Sequence, residues 1–570
     1  MQAYAQPSVA ANNAKARKRV ASTSRPSTAY PRKRAVTACQ KKPACSFCET
    51  IGAECISDPA DLSTFDPASL AIIERLEGLE RKIDSLKPGG SPIVGNNPEI
   101  HACSPADNST SPSVRRDPEH FLPQNLDKIL TWPVFRDVSL PTASTPNVYS
   151  SPAPMTSASS VPATDEELTP AACARWLDNF FSQVHPKNPI LDEHSARRLV
   201  RKVCMEGVGW DADSCLVLLV CANGALSLPF TEPSLTAEGL KTSIATSLFV
   251  AAQRRLGPIV GQAGVVQAQC LFLAGVFLMS ALRPLDAWRM FLQSLAICQN
   301  FSFCRTSKFA RSLHTWSSTP AEESVYWSSW KSERELRSEL GLPDFSSPSL
   351  DPPRLFPSLP DGCEGDSLRA WYFYLSEISL WRLETDAKNV ISSLLEEIPG
   401  PILPALAEKG YEHLGQVDAW QDSLAPAVSF GREPSQSEND VLRFILRGRT
   451  TYMKEMITWP FVWAVVNGGA QSLLTREWAA KAAAFHLERI NINRSGFFHR
   501  HHGTWLMLRT SARSACILLA MAQLATTSNL LPPNWLEAVN DTVAMLMFWR
   551  EDVQEAEATA ELLRTLLLNS

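Results

Sequence analysis

The sequence predicts an all-α fold, and three observations carry that prediction. Apolar residues recur at helical spacing from Glu166 to the end of the chain. Prolines and glycines fall between the periodic stretches, as at Pro189, Gly207-Val208-Gly209, Pro284, Pro343, Pro399-Gly400-Pro401 and Pro532-Pro533. Alternating apolar and polar runs of the kind that build half-buried strands are essentially missing. A body of many antiparallel helices over residues 166–570 follows, with a smaller module, a short coiled coil and disordered linkers ahead of it.

With 570 residues, 45% hydrophobic and 20% charged, the chain has the composition of a soluble globular protein with disordered appendages. Its charge is unevenly spread. The first 42 residues hold ten Lys and Arg and no Asp or Glu, so a net charge of −5 for the whole leaves −15 on the remainder. A basic arm on an acidic body suits nucleic-acid contact by the arm alone. Met1 to Ala35 is polar and basic, so no signal peptide is expected. Beyond the arm the cysteines are scattered singly, as at Cys173, Cys204, Cys215, Cys221 and Cys270, which points to a reducing compartment and buried thiols.

Residues 1–34 are low in apolar side chains and read as a disordered basic arm. Lys15-Ala16-Arg17-Lys18-Arg19 and Pro31-Arg32-Lys33-Arg34 are clusters of the nuclear-import or nucleic-acid type. The next segment, 35–58, holds Cys39, Cys45, Cys48 and Cys55 at spacings of five, two and six intervening residues. Four thiolates so placed can close a tetrahedral zinc shell, nucleated by the close Cys45–Cys48 pair. The neighbouring cations lower thiol pKa values and attract phosphates. Arg32, Lys33, Arg34, Lys41 and Lys42 are therefore the expected DNA phosphate contacts.

A helix is predicted over 66–87. Ile72, Leu76, Leu79, Ile83 and Leu86 follow one another at spacings of four, three, four and three, a heptad seam that Pro88-Gly89-Gly90 ends. Flanking Glu and Arg residues complete the pattern of a short dimerisation helix. Residues 88–165 are rich in Ser, Pro, Thr and Asn and read as a linker. One apolar island interrupts it, from Leu122 to Phe135, and islands of this kind dock on folded surfaces.

Within 166–570, helical periodicity runs over Ala171 to Val184, Ala196 to Met205, Ser214 to Leu228, Leu235 to Leu256, Val265 to Ser280, Leu285 to Phe301, Ala321 to Leu340, Asp366 to Leu383, Val390 to Ile398, Asp440 to Val466, Leu473 to Asn491, Gly503 to Thr527 and Pro533 to Leu567. Gly264 to Leu282 is the most apolar window, but Gln267 and Gln269 interrupt it, so a buried core helix is expected rather than a membrane span. No P-loop, dinucleotide fingerprint or nucleophile elbow occurs, and no enzymatic activity is expected. His499-Arg500-His501-His502 is the only histidine cluster and reads as buried polar structure, because no HExxH pattern or carboxylate pair accompanies it. Tyr326, Trp327 and Trp330 read as core. Arg283, Trp288 and Lys331 are candidate polar rims of a small-molecule cavity between helices.

Two parts of the chain resemble fungal binuclear zinc-cluster transcription regulators. Ala38-Cys39, then Lys42-Pro43-Ala44-Cys45-Ser46-Phe47-Cys48 and Cys55, are similar to the opening and the second half of that family's six-cysteine pattern. The family's second and third cysteines, and the basic run between them, are absent between Gln40 and Lys41. The resemblance implies that the four cysteines present are the first, fourth, fifth and sixth, the shell of one zinc. The missing piece is the short basic helix that the family lays in the major groove. Either the regulator has lost direct base reading or the sequence lacks a small coding segment, and the second reading is favoured.

Most of 166–570 resembles the family's fungal-specific middle homology region. The resemblance is carried by Phe180-Phe181-Ser182-Gln183-Val184-His185-Pro186-Lys187-Asn188-Pro189-Ile190-Leu191-Asp192 and Ser214 to Ala222. Arg283 to Met290, Val325 to Leu336 and Glu339-Leu340-Gly341-Leu342-Pro343 continue it. It implies a regulatory body, a nuclear location and parallel homodimers paired by the 66–87 helix. It also implies control of a metabolic or secondary-metabolite gene set through transcription machinery or a small-molecule effector. With the basic helix gone, DNA binding by the chain as written is expected to be weak and poorly selective. The rival expectation is a coregulator that heterodimerises with an intact paralogue without binding DNA. No membrane partner is expected.

Overall fold

The computed structural model describes residues 120–136, 168–230, 243–304, 318–344, 356–398, 401–431, 438–468 and 472–569. All of them belong to one compact unit, Pro92–Ser570. Cys39, Cys45, Cys48 and Cys55, the basic residues Arg32, Lys33, Arg34, Lys41 and Lys42, and the seam Ile72, Leu76, Leu79, Ile83 and Leu86 lie outside the described residues.

Among the described residues every regular element is helical, and fifteen α-helices are present. In chain order they are α1 Leu126–Ile129, α2 Pro170–Asn179, α3 Glu193–Glu206, α4 Ala212–Leu226 and α5 Ile244–Val260. Next come α6 Val265–Ser280, α7 Pro284–Cys298, α8 Pro320–Leu340, α9 Gly365–Glu397 and α10 Leu403–Asp422. Finally there are α11 Val441–Val466, α12 Leu473–Asn493, α13 Thr504–Ala522, α14 Trp535–Phe548 and α15 Gln554–Leu568. The all-α expectation holds.

The ends of these helices are set by short polar side chains. Asp192, Asp211, Ser243 and Ser472 each accept a bond from the backbone N–H three residues on, satisfying an orphan donor of the first turn. At α8, Thr319 and Glu322 form a reciprocal capping box, and Gly341 closes the helix in the left-handed region at φ 65°.

The helices pack mostly against sequence neighbours: α2 on α4, α4 on α5 and α6, α6 on α7, α7 on α8, then α10 on α11, α11 on α12, α12 on α13 and α14 on α15. Helices α4 and α6 lie at the centre of the first half. Every residue of α6 from Ala268 to Met279 is buried, as an all-round apolar helix requires. No helix among the described residues is long and apolar enough to cross a membrane. Where α4 crosses α2, a Cβ on Gly224 would stand 1.9 Å from the Trp176 carbonyl oxygen, a backbone atom that cannot turn aside. Gly224→Ala is accordingly expected to lower stability by about 1–3 kcal/mol through overpacking. A denaturant midpoint equal to that of the parent would show that the two helices separate freely.

Three boundaries differ from the periodic reading. Residues 366–383 and 390–398 are one continuous helix, α9, because no Pro or Gly stands between Gly365 and Glu397 and the polar Glu384 is itself buried. Helix α10 was not expected. Its Pro404 sits in the first turn, where no N–H is needed, and its Gly410 makes room for the Trp478 ring, 2.6 Å from where a Cβ would stand. Residues 533–567 form two helices, broken where Trp549 is fully buried and donates to the Phe497 carbonyl at 2.7 Å.

The apolar island of the linker is packed on this body. Leu126, Ile129, Trp132 and Phe135 are buried, Trp132 packs against Trp459 at 5.8 Å, and α1 lies on α13. It forms a strap across the second half of the helices.

Candidate functional site

Helical periodicity places several charged residues on faces that turn inward. On α8, Lys331, Glu335 and Glu339 are spaced by four and share one stripe. On α9, Glu377 and Glu384 face inward with Trp381 between them, and α11 contributes Arg449 and Glu455. The strongly apolar α13 carries Arg509 and Arg513, and α12 carries His486 and Arg489. Charges in such surroundings persist only when paired.

They are paired, in two groups. In the first, Lys331 ion-pairs with Glu377, whose other oxygen lies 3.5 Å from Arg449. Arg449 reaches Glu335 at 3.1 Å and stacks over Trp381 at 4.7 Å. Burial pushes the Lys331 ammonium down although Glu377 opposes it, and burial likewise pushes the Glu335 carboxyl up against the pull of Arg449.

In the second group, Glu455 receives two bonds from Arg489, at 2.9 and 3.1 Å, the bidentate geometry that gives guanidinium its strength. Arg513 lies 3.7 Å from Glu455 and 3.2 Å from Glu339. Arg509 joins Glu339 at 3.1 Å to Asp127 of the strap at 2.8 Å. Burial alone would raise the Glu455 carboxyl, but Arg489 and His486 overcome it and hold that group well below the usual carboxylate range. At Glu555, which accepts a bond from Trp505 Nε1 at 3.0 Å, burial dominates and pushes the carboxyl up.

The expected core aromatics are where periodicity put them: Tyr326, Trp327 and Trp330 are all buried. Glu333 and Arg337, four residues apart on α8, form an intrahelical pair at 3.1 Å. Each of the residues offered as a cavity rim is engaged by a partner of its own. Arg283 pairs with Asp286, and Trp288 donates to Glu333 at 3.1 Å, while Lys331 points to Glu377. The histidine cluster precedes α13 as buried polar structure. His499 and His501 rings stack at 5.6 Å, and among the described residues no group of three His, Cys, Asp or Glu could hold a metal ion.

The inward ion pairs are the feature that periodicity missed. One signal was present: two arginines four residues apart in the otherwise apolar α13, which an exposed helix face does not explain. The pairs make a locked polar seam that ties the strap, α8, α9, α11, α12 and α13 to one another. The seam positions these helices against one another.

Comparison with known proteins gives one match. Residues 177–342, from the end of α2 to just beyond α8, match the model of the fungal specific transcription factor domain. The middle of the chain is thus similar to a transcription factor domain of the fungal type, and the seam's α8 residues Lys331, Glu335 and Glu339 fall inside the matched stretch. No curated protein and no solved structure is matched.

Proposed function

We propose that this protein is a zinc-dependent transcription regulator that acts in the nucleus. The observation that carries the reading is the domain match over 177–342, joined in one chain to the four-cysteine segment 35–58 with its basic arm. Cys39, Cys45, Cys48 and Cys55 would hold one zinc ion, and its binding free energy would fold a module too small for an apolar core. Arg32, Lys33, Arg34, Lys41 and Lys42 would contact phosphates, the heptad seam from Ile72 to Leu86 would pair two copies, and the helical body would set activity. Its targets would be genes of a metabolic or secondary-metabolite set. No catalytic role is proposed.

Full-length protein purified under reducing conditions is expected to carry one zinc per chain, and Cys45→Ser to lose it, as read by metal analysis. In gel shifts over varied sequences, binding is expected to be weak, nearly sequence-independent and steeply reduced by salt. Metal-free protein would end the proposal. Tight, selective binding would instead show that bases are read without the missing segment. The gap between Gln40 and Lys41 favours one second reading, a coregulator that dimerises with an intact paralogue. Recovery of a mixed dimer that binds DNA less tightly than the paralogue alone would decide for it.

A further inference from the structure

Thiols that the sequence scatters singly come together where α2, α3 and α4 meet. Cys173 lies in the first turn of α2 and Cys204 in the last turn of α3, with Cys221 in α4, and these three helices pack on one another. Cys204 Sγ donates to Cys173 Sγ at 3.4 Å, across 31 residues of chain. Cys215 and Cys270, by contrast, donate to the carbonyls of Ala252 and Ala212 at 3.6 and 3.5 Å. Sulfur is a weak donor and a weak acceptor, so helix packing, and not the strength of their bond, holds Cys173 and Cys204 in contact. Cys173 is 1% exposed, and Cys204 beside it is half-buried.

The two sulfurs in contact are not equivalent. A bond from Cys221 outweighs burial and, with the bond from Cys204, brings the Cys173 thiol down to about 7. Burial pushes Cys204 up to about 12, as it does Cys304 and Cys516. At neutral pH Cys173 is therefore substantially thiolate, the nucleophilic form, and Cys204 is a protonated neighbour touching it. An attacking thiolate beside a second thiol is the arrangement from which a sulfenic acid is resolved to a disulfide. Access selects the reagent, because a sulfur so deeply buried admits hydrogen peroxide and excludes a bulky disulfide.

We propose that Cys173 and Cys204 are a modification site for hydrogen peroxide, which closes them into a reversible disulfide between α2 and α3. The Cys173 sulfur attacks one peroxide oxygen and the O–O bond breaks. Hydroxide leaves, takes up a proton and becomes water, and Cys173 is left as a sulfenic acid. The Cys204 sulfur then attacks Cys173, the S–O bond breaks, and a second water departs with the Cys204 proton. Two thiols lose two electrons and one peroxide is reduced to two waters. The bond would fasten the start of α2 to the end of α3, at the amino-terminal edge of the stretch 177–342. A transient bond of this kind is compatible with a reducing compartment. It stands independently of the regulatory reading, because it needs neither zinc nor DNA.

The test treats the folded full-length chain with hydrogen peroxide, blocks the remaining thiols and maps the peptides by mass spectrometry. Cleavage after Glu and Asp leaves Cys173 on residues 168–178, Cys204 on 194–206, and Cys215 with Cys221 on 214–232. The pair is thereby told apart from every other thiol, including those of segment 35–58. Peptides 168–178 and 194–206 are expected to appear joined, two hydrogens lighter than their sum, and to separate again in dithiothreitol. The oxidised chain is expected to melt about 3 °C higher, as closure of a loop of this length predicts. Cys204→Ser, at a half-buried position, is expected to lose the link and to leave Cys173 as a sulfenic acid that dimedone traps. Absence of the link in peroxide-treated parent protein overturns the proposal, and that arm needs no variant to fold. A link from 168–178 to 214–232 in its place overturns it too, as does a Cys204→Ser chain whose Cys173 takes up no dimedone.

Discussion

Replacing Glu455 by leucine is expected to destabilise the helical unit by about 3–5 kcal/mol, the cost of removing one partner from a buried ion pair. Glu455 is 2% exposed and, among the described residues, is the only acid bonded to Arg489, itself 5% exposed. The leucine would leave that guanidinium in an apolar site with nothing to neutralise it, and would take from Arg513 one of its two carboxylates. Adding Arg489→Leu should restore most of the loss, because two apolar side chains of similar volume can replace a buried pair at little cost. The measurement is a denaturant titration of the parent, both single variants and the double. A Glu455→Leu midpoint close to the parent's would mean that water enters the seam and that its charges are not truly buried.

Arg509→Met should cost about 3 kcal/mol by the same reasoning, and it should also free the strap. Arg509 holds Asp127 at 2.8 Å and Glu339 at 3.1 Å and lies 4.0 Å from Glu555, so three carboxylates lose one cation. Glu339 keeps Arg513 and Glu555 keeps Trp505, whereas the described residues leave Asp127 no other cation. The strap would then rest on Leu126, Ile129, Trp132 and Phe135 and on the bond from Asn125 Nδ2 to the Glu339 carbonyl. Trypsin cleavage at Lys128 is the readout, and it should quicken markedly in the variant. Unchanged cleavage alongside a normal loss of stability would assign the hold on the strap to its apolar side chains alone.

Much of the fold was legible because helix formation is local. The heavily apolar run from Val265 to Ser280 announced a core helix, and the periodicity from Ala321 to Leu340 announced α8. The misreadings have local causes too. Glu384 and its polar neighbours looked like an interruption of α9 only because burial of a glutamate is invisible without Lys388, 2.5 Å away on the next turn. Helix α10 went unread, and within it Gly410 leaves the space that the Trp478 ring, from another helix, occupies.

The sequence by itself determined that this is a helical body with core aromatics at Tyr326, Trp327 and Trp330, and that its histidine cluster is polar structure. The 3.6-residue period and the turn residues that interrupt it act over a few neighbours, so they can be read in order along the chain. Only the tertiary structure decided which charges meet. Arg509 and Asp127 stand 382 residues apart, and Lys331 and Glu377 stand 46 apart. No short-range pattern links such pairs, and the low polarity of the interior is what makes their meeting obligatory once the helices have packed.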